Sequence, residues 1–356
     1  MKIGIEEEFI VVDSDTLFHT PSAFRLATNL SYNDFTRFMK WSVELPLNSG
    51  NILSILKNLK KGFSIIEIKT EPHEEIELLR NELLQLRNEL LKVAIRNNLL
   101  ILPCGLHPFY SPKNSFLDNC AALHIHIDYK TGVLKRIRSI IPFLISISTN
   151  SPFINGKVAA KSNRIKFSQH INNLKNQSKR SVDILHNEKL NTIEIRILDS
   201  QITVDESIGL ASIAKIVAES DNFNNLSIND KDYIRDREIA GNNGYGSIKI
   251  SDKLYEKLLG YNYYSKYIIE EENGSDWQIK IFEKFGLSSV VFSLWDSFNK
   301  NKRVISKTKS KIYADNISFF PLFYIIPYAP FLLLEKYKKY KQDITGFNKI
   351  LNNMIN

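Results

Sequence analysis

Lys2-Ile-Gly-Ile-Glu-Glu-Glu-Phe-Ile-Val-Val12 sets Ile3, Ile5, Phe9 and Val11 in alternation with Gly4, Glu6, Glu8 and Ile10. A period of two predicts a β-strand, on which Glu6 and Glu8 project together and Glu7 points the other way with Ile5 and Phe9. A Glu-x-Glu pair on one strand face can hold a hard cation, because Mg²⁺ takes oxygen ligands. A solvated outer face would give the same pattern, and the apolar residues, lying on the other side, do not decide between the two.

Three further segments read as strands, and each also carries a group that is costly to bury alone. Ser64-Ile-Ile-Glu-Ile-Lys-Thr70 places Glu67 in a β-branched run. Ala121-Ala-Leu-His-Ile-His-Ile-Asp128 places His124 and His126 on one face, a pair that suits a metal, a phosphate or satisfaction by backbone carbonyls. Thr192-Ile-Glu-Ile-Arg-Ile-Leu198 places Glu194 beside Arg196, which is either a plain ion pair or a metal ligand next to a phosphate contact. Another strand is expected at 99–104. A helix is expected over 73–97, with apolar residues at 76, 79, 83, 86, 90 and 93, and another over 133–149, stopped at Asn150-Ser-Pro-Phe153. Thr203-Val-Asp-Glu206 reads as a capping box opening a third helix. Residues 13–63 show no clear pattern. Residues 225–260 are polar, with Gly241-Asn-Asn-Gly-Tyr-Gly246 as a loop, and the last hundred residues look helical, with 276–285 and 331–342 as candidates. Strands and helices do not alternate regularly, so an α+β fold is expected, as one catalytic domain over 1–356 whose part from about 225 onward is helical.

The chain has 356 residues and is 43% hydrophobic, enough for a large core. Its net charge of +8 favours anionic partners, but the excess is spread along the chain with no aromatic-interleaved basic stripe, so no nucleic-acid partner is expected. Two cysteines and the lack of a leader-like start point to the reducing cytoplasm. Residues 317–334 carry no charge, yet Pro321, Pro327 and Pro330 oppose a membrane helix, so a buried segment or subunit interface is expected there. The four strands together offer four carboxylates, two imidazoles and an arginine. That combination suits a polyphosphate held by Mg²⁺, and since no glycine-rich phosphate loop is present, ATP would be held by side chains and metal ions.

Gly4-Ile-Glu-Glu-Glu-Phe9, Ile66-Glu-Ile-Lys-Thr70, Gly105-Leu-His-Pro-Phe109, Leu123-His-Ile-His126, Asn150-Ser-Pro-Phe153 and Thr192-Ile-Glu-Ile-Arg-Ile-Leu-Asp199 occur in the order found in the carboxylate-amine ligases. Over roughly the first 220 residues the chain resembles the type 2 glutamate–cysteine ligase family. The resemblance implies a curved, largely antiparallel sheet backed by helices, similar to the catalytic half of glutamine synthetase. It also implies a reaction of glutathione biosynthesis, in which ATP phosphorylates the side-chain carboxylate of glutamate and an amine, that of cysteine first, displaces the phosphate. By that analogy Glu6, Glu8, Glu67, His124 and Glu194 ligate Mg²⁺, with Glu67 and Arg196 as catalytic groups. Arg196 stabilises the moving phosphoryl group, His126 and Arg164 contact nucleotide or substrate, and Arg237 of Arg235-Asp-Arg-Glu238 matches an arginine of the family's Glu-Asn-Arg-Trp segment. A homodimer or larger assembly is implied as well. The chain departs from the family pattern at Phe63-Ser-Ile-Ile66, where members carry glutamines, and in a shortened loop between the His-Pro-Phe turn and the His-x-His strand. Those departures leave room for a polyamine, alkylamine or protein acceptor, or for a nucleotide-binding homologue without turnover.

Overall fold

The computed structural model describes residues 1–14, 17, 65–109, 120–167, 183–188, 190–220 and 227–308. Contacts divide the chain into two units, one over 1–40 and 63–312 and one over 41–62 and 313–356, and every described residue lies in the first. The expectations for 317–334 and for a helix at 331–342 fall outside the described residues.

β1 (Ile3–Asp13) is the strand its alternation predicts. It lies within a six-stranded sheet in the order β2 (Ile65–Lys69), β1, β4 (Ala122–Asp128), β8 (Thr192–Asp199) and β7 (Ile184–Asn187), and β3 (Leu99–Leu102) also pairs with β1. Every pairing is antiparallel and the sheet is open, so the fold is α+β. The sequence reading does not assign β7, a four-residue edge strand.

Residues directly opposite in adjacent strands share a face. Ile3, Ile5, Phe9, Ile66, Ile68, Ile125, Ile127, Ile193 and Ile195 therefore form one apolar face, and all are buried in the main core. Against it pack α1 (Ile76–Arg96), α2 (Val133–Ser148) and α4 (Val204–Glu219). α1 turns Leu79, Leu83, Leu86 and Leu90 inward at the predicted spacing, and full burial of such a side chain stabilises by about 1.5–3 kcal/mol. The helix starts three residues later than expected because His73 is still extended, exchanging backbone hydrogen bonds with Ile3 at 2.8 and 2.9 Å. The capping box of α4 forms: Thr203 Oγ1 accepts from Glu206 N at 3.2 Å, and Glu206 Oε2 accepts from Thr203 N at 3.2 Å.

One local reading is corrected, and one segment without a reading is assigned. Gly241 is not in a loop, because α5 (Asp230–Asn243) runs through it and ends at Gly244, whose φ is +68°. The buried stripe of α5 is Tyr233, Arg237, Ala240 and Gly241, a helical period that counting hydrophobic residues does not detect. The second concerns Phe153 to Val158, where β5 (Phe153–Ile154) and β6 (Lys157–Val158) form a hairpin. Its turn is Asn155-Gly156, both at positive φ as a two-residue type I′ turn needs. Among the described residues the helices besides these are the short α3 (Asn163–Phe167), α6 (Asp252–Tyr261), α7 (Tyr263–Glu270), α8 (Gly274–Phe285) and α9 (Leu287–Lys300), so the helical expectation for 276–285 holds. Residues of α8 and α9, including Trp277, Val290 and Leu294, form a second apolar cluster with Ile10, Val12, Leu100 and Leu102.

Candidate functional site

The sheet face opposite the helices carries the charged residues in register. Lys69, Glu6 and His124 stand side by side on β2, β1 and β4. Gly4, His126 and Glu194 form the next row on β1, β4 and β8, and Glu8 faces Glu67. Leu123 pairs with Leu198 and Ile125 with Ile195, so two residues of β8, Arg196 and Ile197, oppose His124 alone. This bulge sits within the charged face and re-aims Arg196, a use to which bulges are often put.

Two groups of ligand atoms result, each within 4.8 Å: Glu6, His124 and Glu194, and Glu8, Glu67 and His124. His124 belongs to both. Its Nδ1 is 3.3 Å from Glu6 Oε2, and His126 Nε2 is 3.6 Å from Glu6 Oε1. Burial opposes the charge of Glu6, but the hydrogen bonds of His124 and His126 and the nearby Lys69 hold its carboxyl far below the usual range. Glu194 is also held low: burial opposes its charge, and Arg196, His126 and His124 outweigh that. Arg196 Nη1 bonds Glu194 Oε1 directly, Asn187 Nδ2 approaches Glu194 Oε2 at 3.4 Å, and Ala122 N donates to Glu8 Oε2 at 3.0 Å. Glu67 is buried and meets Lys69 Nζ at 2.8 Å, the same ammonium that reaches Glu6 Oε1 at 2.6 Å.

Sequence reasoning gave no role to Lys69 or Asn187. Lys69 had a signal, being two residues from Glu67 on one strand and hence on its face. Asn187 had none, because its strand was not recognised.

The donor set suits a hard divalent ion, with carboxylate oxygens from three strands and an imidazole at the junction. His126 Nε2 is buried and lies 3.6 Å from Glu6 Oε1, which places it beside the same carboxylate as His124.

Arg164 and Arg237 lie elsewhere. Arg164 is 1% exposed and donates to the carbonyls of Ala121, Arg196, Ile197 and Leu198 at 2.9–3.2 Å. It braces the bulge that presents Arg196. Asp199, 3.7 Å from Arg164, accepts from Asn150 N, Ser151 Oγ and Ser162 Oγ at 2.7–3.0 Å. A Cβ at Gly105 would stand 2.3 Å from the Asp199 carboxyl carbon, so that position requires glycine. Gly105, Asn150, Ser151 and Arg164 are thus parts of one buried scaffold behind the charged face. Arg237 is ion-paired to Asp183 at 2.8 Å, with Tyr233 Oη donating to the same carboxylate. His107 shapes its turn, as the sequence suggests: its Nδ1 accepts from Phe109 N and its Nε2 meets Leu17 O, both at 3.1 Å.

No family model matches the chain. It is 23% identical over 268 residues to a protein of Sorangium cellulosum provisionally named glutamate–cysteine ligase 2, covering 60% of this chain and 66% of that one. A Solibacter usitatus protein with the same provisional name is 22% identical over 372 residues, covering 82% and 91%. The chain therefore spans just under two thirds of the first relative and nearly all of the second. Among solved structures, a bifunctional glutathione synthetase from Pasteurella multocida superposes with a TM-score of 0.53 at 11% identity, over 84% of this chain and 51% of that one. Among the described residues no helix is long and apolar enough to cross a membrane. The chain is thus similar in sequence, at low identity, to proteins provisionally named glutamate–cysteine ligase 2, and its fold resembles that of the bifunctional glutathione synthetase.

Proposed function

We propose that the protein is an ATP-dependent ligase that activates the side-chain carboxylate of glutamate, or of a glutamate-like acid, as an acyl phosphate and joins it to an amine. The observation that carries this reading is the pair of ligand groups sharing His124 on one sheet face, with Arg196 at its edge. Magnesium bound there would neutralise polyphosphate charge and orient the γ-phosphoryl group. Glu6, Glu8, Glu67, His124 and Glu194 would hold it, and His126, now beside Glu6, would turn its Nε2 to a phosphate oxygen. Arg196 is one hydrogen bond from Glu194 and 20% exposed, so it can exchange that partner for a phosphoryl oxygen in the transition state. Charge compensation and positioning are what phosphoryl transfer asks of a protein, and no covalent nucleophile is needed.

Cysteine is the acceptor to test first, since the relatives carry that name. A different amine is the second reading, favoured by Phe63-Ser-Ile-Ile66 standing where the family has glutamines. ADP release should depend on both a carboxylate and an amine, and a panel of amino acids, polyamines, alkylamines and peptides would identify the acceptor. MgATP binding with no acceptor-dependent ADP release across that panel would sink the ligase reading and leave a nucleotide-binding homologue.

A further inference from the structure

Lys69 enters the charged face from β2 and touches one carboxylate of each ligand group, Glu6 at 2.6 Å and Glu67 at 2.8 Å. Its position follows from the sheet, because it stands directly opposite Glu6 and two residues beyond Glu67. Two carboxylates within hydrogen-bonding distance favour its ammonium form. Lys69 is therefore shared between the two candidate ligand groups, Glu6 belonging to one and Glu67 to the other.

We propose that Lys69 is a resident cation of the site, held between Glu6 and Glu67 and competing there with a divalent ion in the nucleotide-free protein. The proposal rests on the metal-nucleotide reading of this face. Two cations that share ligand oxygens repel each other, so Lys69 and an ion at Glu6 and Glu67 exclude one another. Lysine suits this task better than arginine in one respect: its ammonium is a compact point charge on a flexible stem, able to swing away when a polyphosphate arrives with its own metal.

The test is direct Mn²⁺ binding to the full chain without nucleotide, read by electron paramagnetic resonance of free Mn²⁺ and by calorimetry. Lys69→Arg, which keeps the charge, should bind Mn²⁺ as wild type does. Lys69→Met and Lys69→Gln should bind an additional ion, or bind Mn²⁺ about tenfold more tightly, an ordinary coupling between groups that share ligands. The neutral variants should also gain more in melting temperature from Mn²⁺ than wild type does, and circular dichroism confirms that each is folded. If the neutral variants bind Mn²⁺ with the stoichiometry and affinity of wild type, the role of Lys69 is refuted and the metal reading stands. If neither wild type nor the neutral variants bind Mn²⁺, both ideas fall.

Discussion

Glu6 and Glu8 lie on one side of β1 and Glu7 on the other, and the two sides handle carboxylate charge in opposite ways. Glu7 is fully buried and closed off: Arg87 Nε and Nη2 meet its two oxygens at 2.8 and 2.7 Å, and Ser207 Oγ donates to it as well. The rest of the Arg87 guanidinium donates to the carbonyls of Ile202 and Gln201 at 3.0 Å and packs over Phe9 and Phe298. On the Glu6 side carboxylates from three strands converge with His124 in two candidate ligand groups, and one ammonium, that of Lys69, is shared between Glu6 and Glu67. A charge compensated by the protein's own groups holds elements together, and a surplus charge is set out for a ligand. Breaking the first kind should therefore cost stability, and breaking the second should cost function.

The largest expected effect is at Glu7. Glu7→Ala leaves Arg87 charged and buried without its partner and should lower unfolding free energy by about 3–5 kcal/mol, while molecules that remain folded bind Mn²⁺ as before. Replacing both partners, as in Glu7→Met with Arg87→Met, should recover most of that loss in urea titrations. A single-variant cost under about 1 kcal/mol would erase the contrast between the two sides. Next comes Glu194→Gln, for which ATP turnover should fall about 100-fold, equivalent to roughly 2.7 kcal/mol, because a metal ligand and the partner of Arg196 are lost together. Its urea midpoint should move little. A large loss of stability with normal turnover would place Glu194 with Glu7 among the structural charges.

The two arginines of β8 and its brace extend the contrast. Arg164→Lys cannot reach four carbonyls, and losing such charge-assisted bonds should cost about 2 kcal/mol of stability with nucleotide affinity unchanged in the folded protein. Arg196→Lys should reverse the pattern, with normal stability and slower turnover. If Arg164→Lys instead weakened nucleotide binding without destabilising the fold, the guanidinium would have to leave its carbonyls on binding, against the geometry.

Much of this was legible in the sequence, but not all of it for the same reason. Alternation in β1 placed Glu6 and Glu8 apart from Glu7 because side-chain direction in a strand is a local property. Convergence of Glu6, His124 and Glu194 was not local, since it depends on the register that sets Glu6 beside His124 and His126 beside Glu194. Arg164 shows the limit of reading motifs: Ser162-Asn-Arg164 looks the same in sequence whether the guanidinium faces phosphate or backbone carbonyls. Arg87 went unnoticed for a related reason. It occupies a buried position of α1 next to Leu86, where charge hides inside an apolar stripe. α5 was missed because its buried stripe is Tyr233, Arg237, Ala240 and Gly241, and the β5–β6 hairpin because Asn155-Gly156 was passed over.

The smallest expected effect concerns Glu219, whose pairing is structural like that of Glu7 but lies at the surface. Lys215 Nζ meets its carboxylate at 2.6 Å one turn away, and the Glu219 side chain is 33% exposed. Burial opposes its charge, but the hydrogen bonds and charges of Lys215 and of the Met1 ammonium, 2.9 Å away, outweigh that and hold the carboxyl below its ordinary 4.5. A carboxylate lowered in the folded state adds stability above its unfolded pKa and loses it as pH falls through the folded value. Glu219→Gln should therefore cost no more than about 1 kcal/mol at pH 7, a figure already reduced for solvent screening, and the difference from wild type should fade below pH ~4.5. Urea titrations of both proteins at pH 7 and pH 3, with and without added salt, measure it. Salt should shrink the pH 7 difference for Glu219→Gln and leave that for Glu7→Ala nearly intact, because screening reaches an exposed pair and not a buried one. Equal salt sensitivity at the two positions would mean that burial does not separate them.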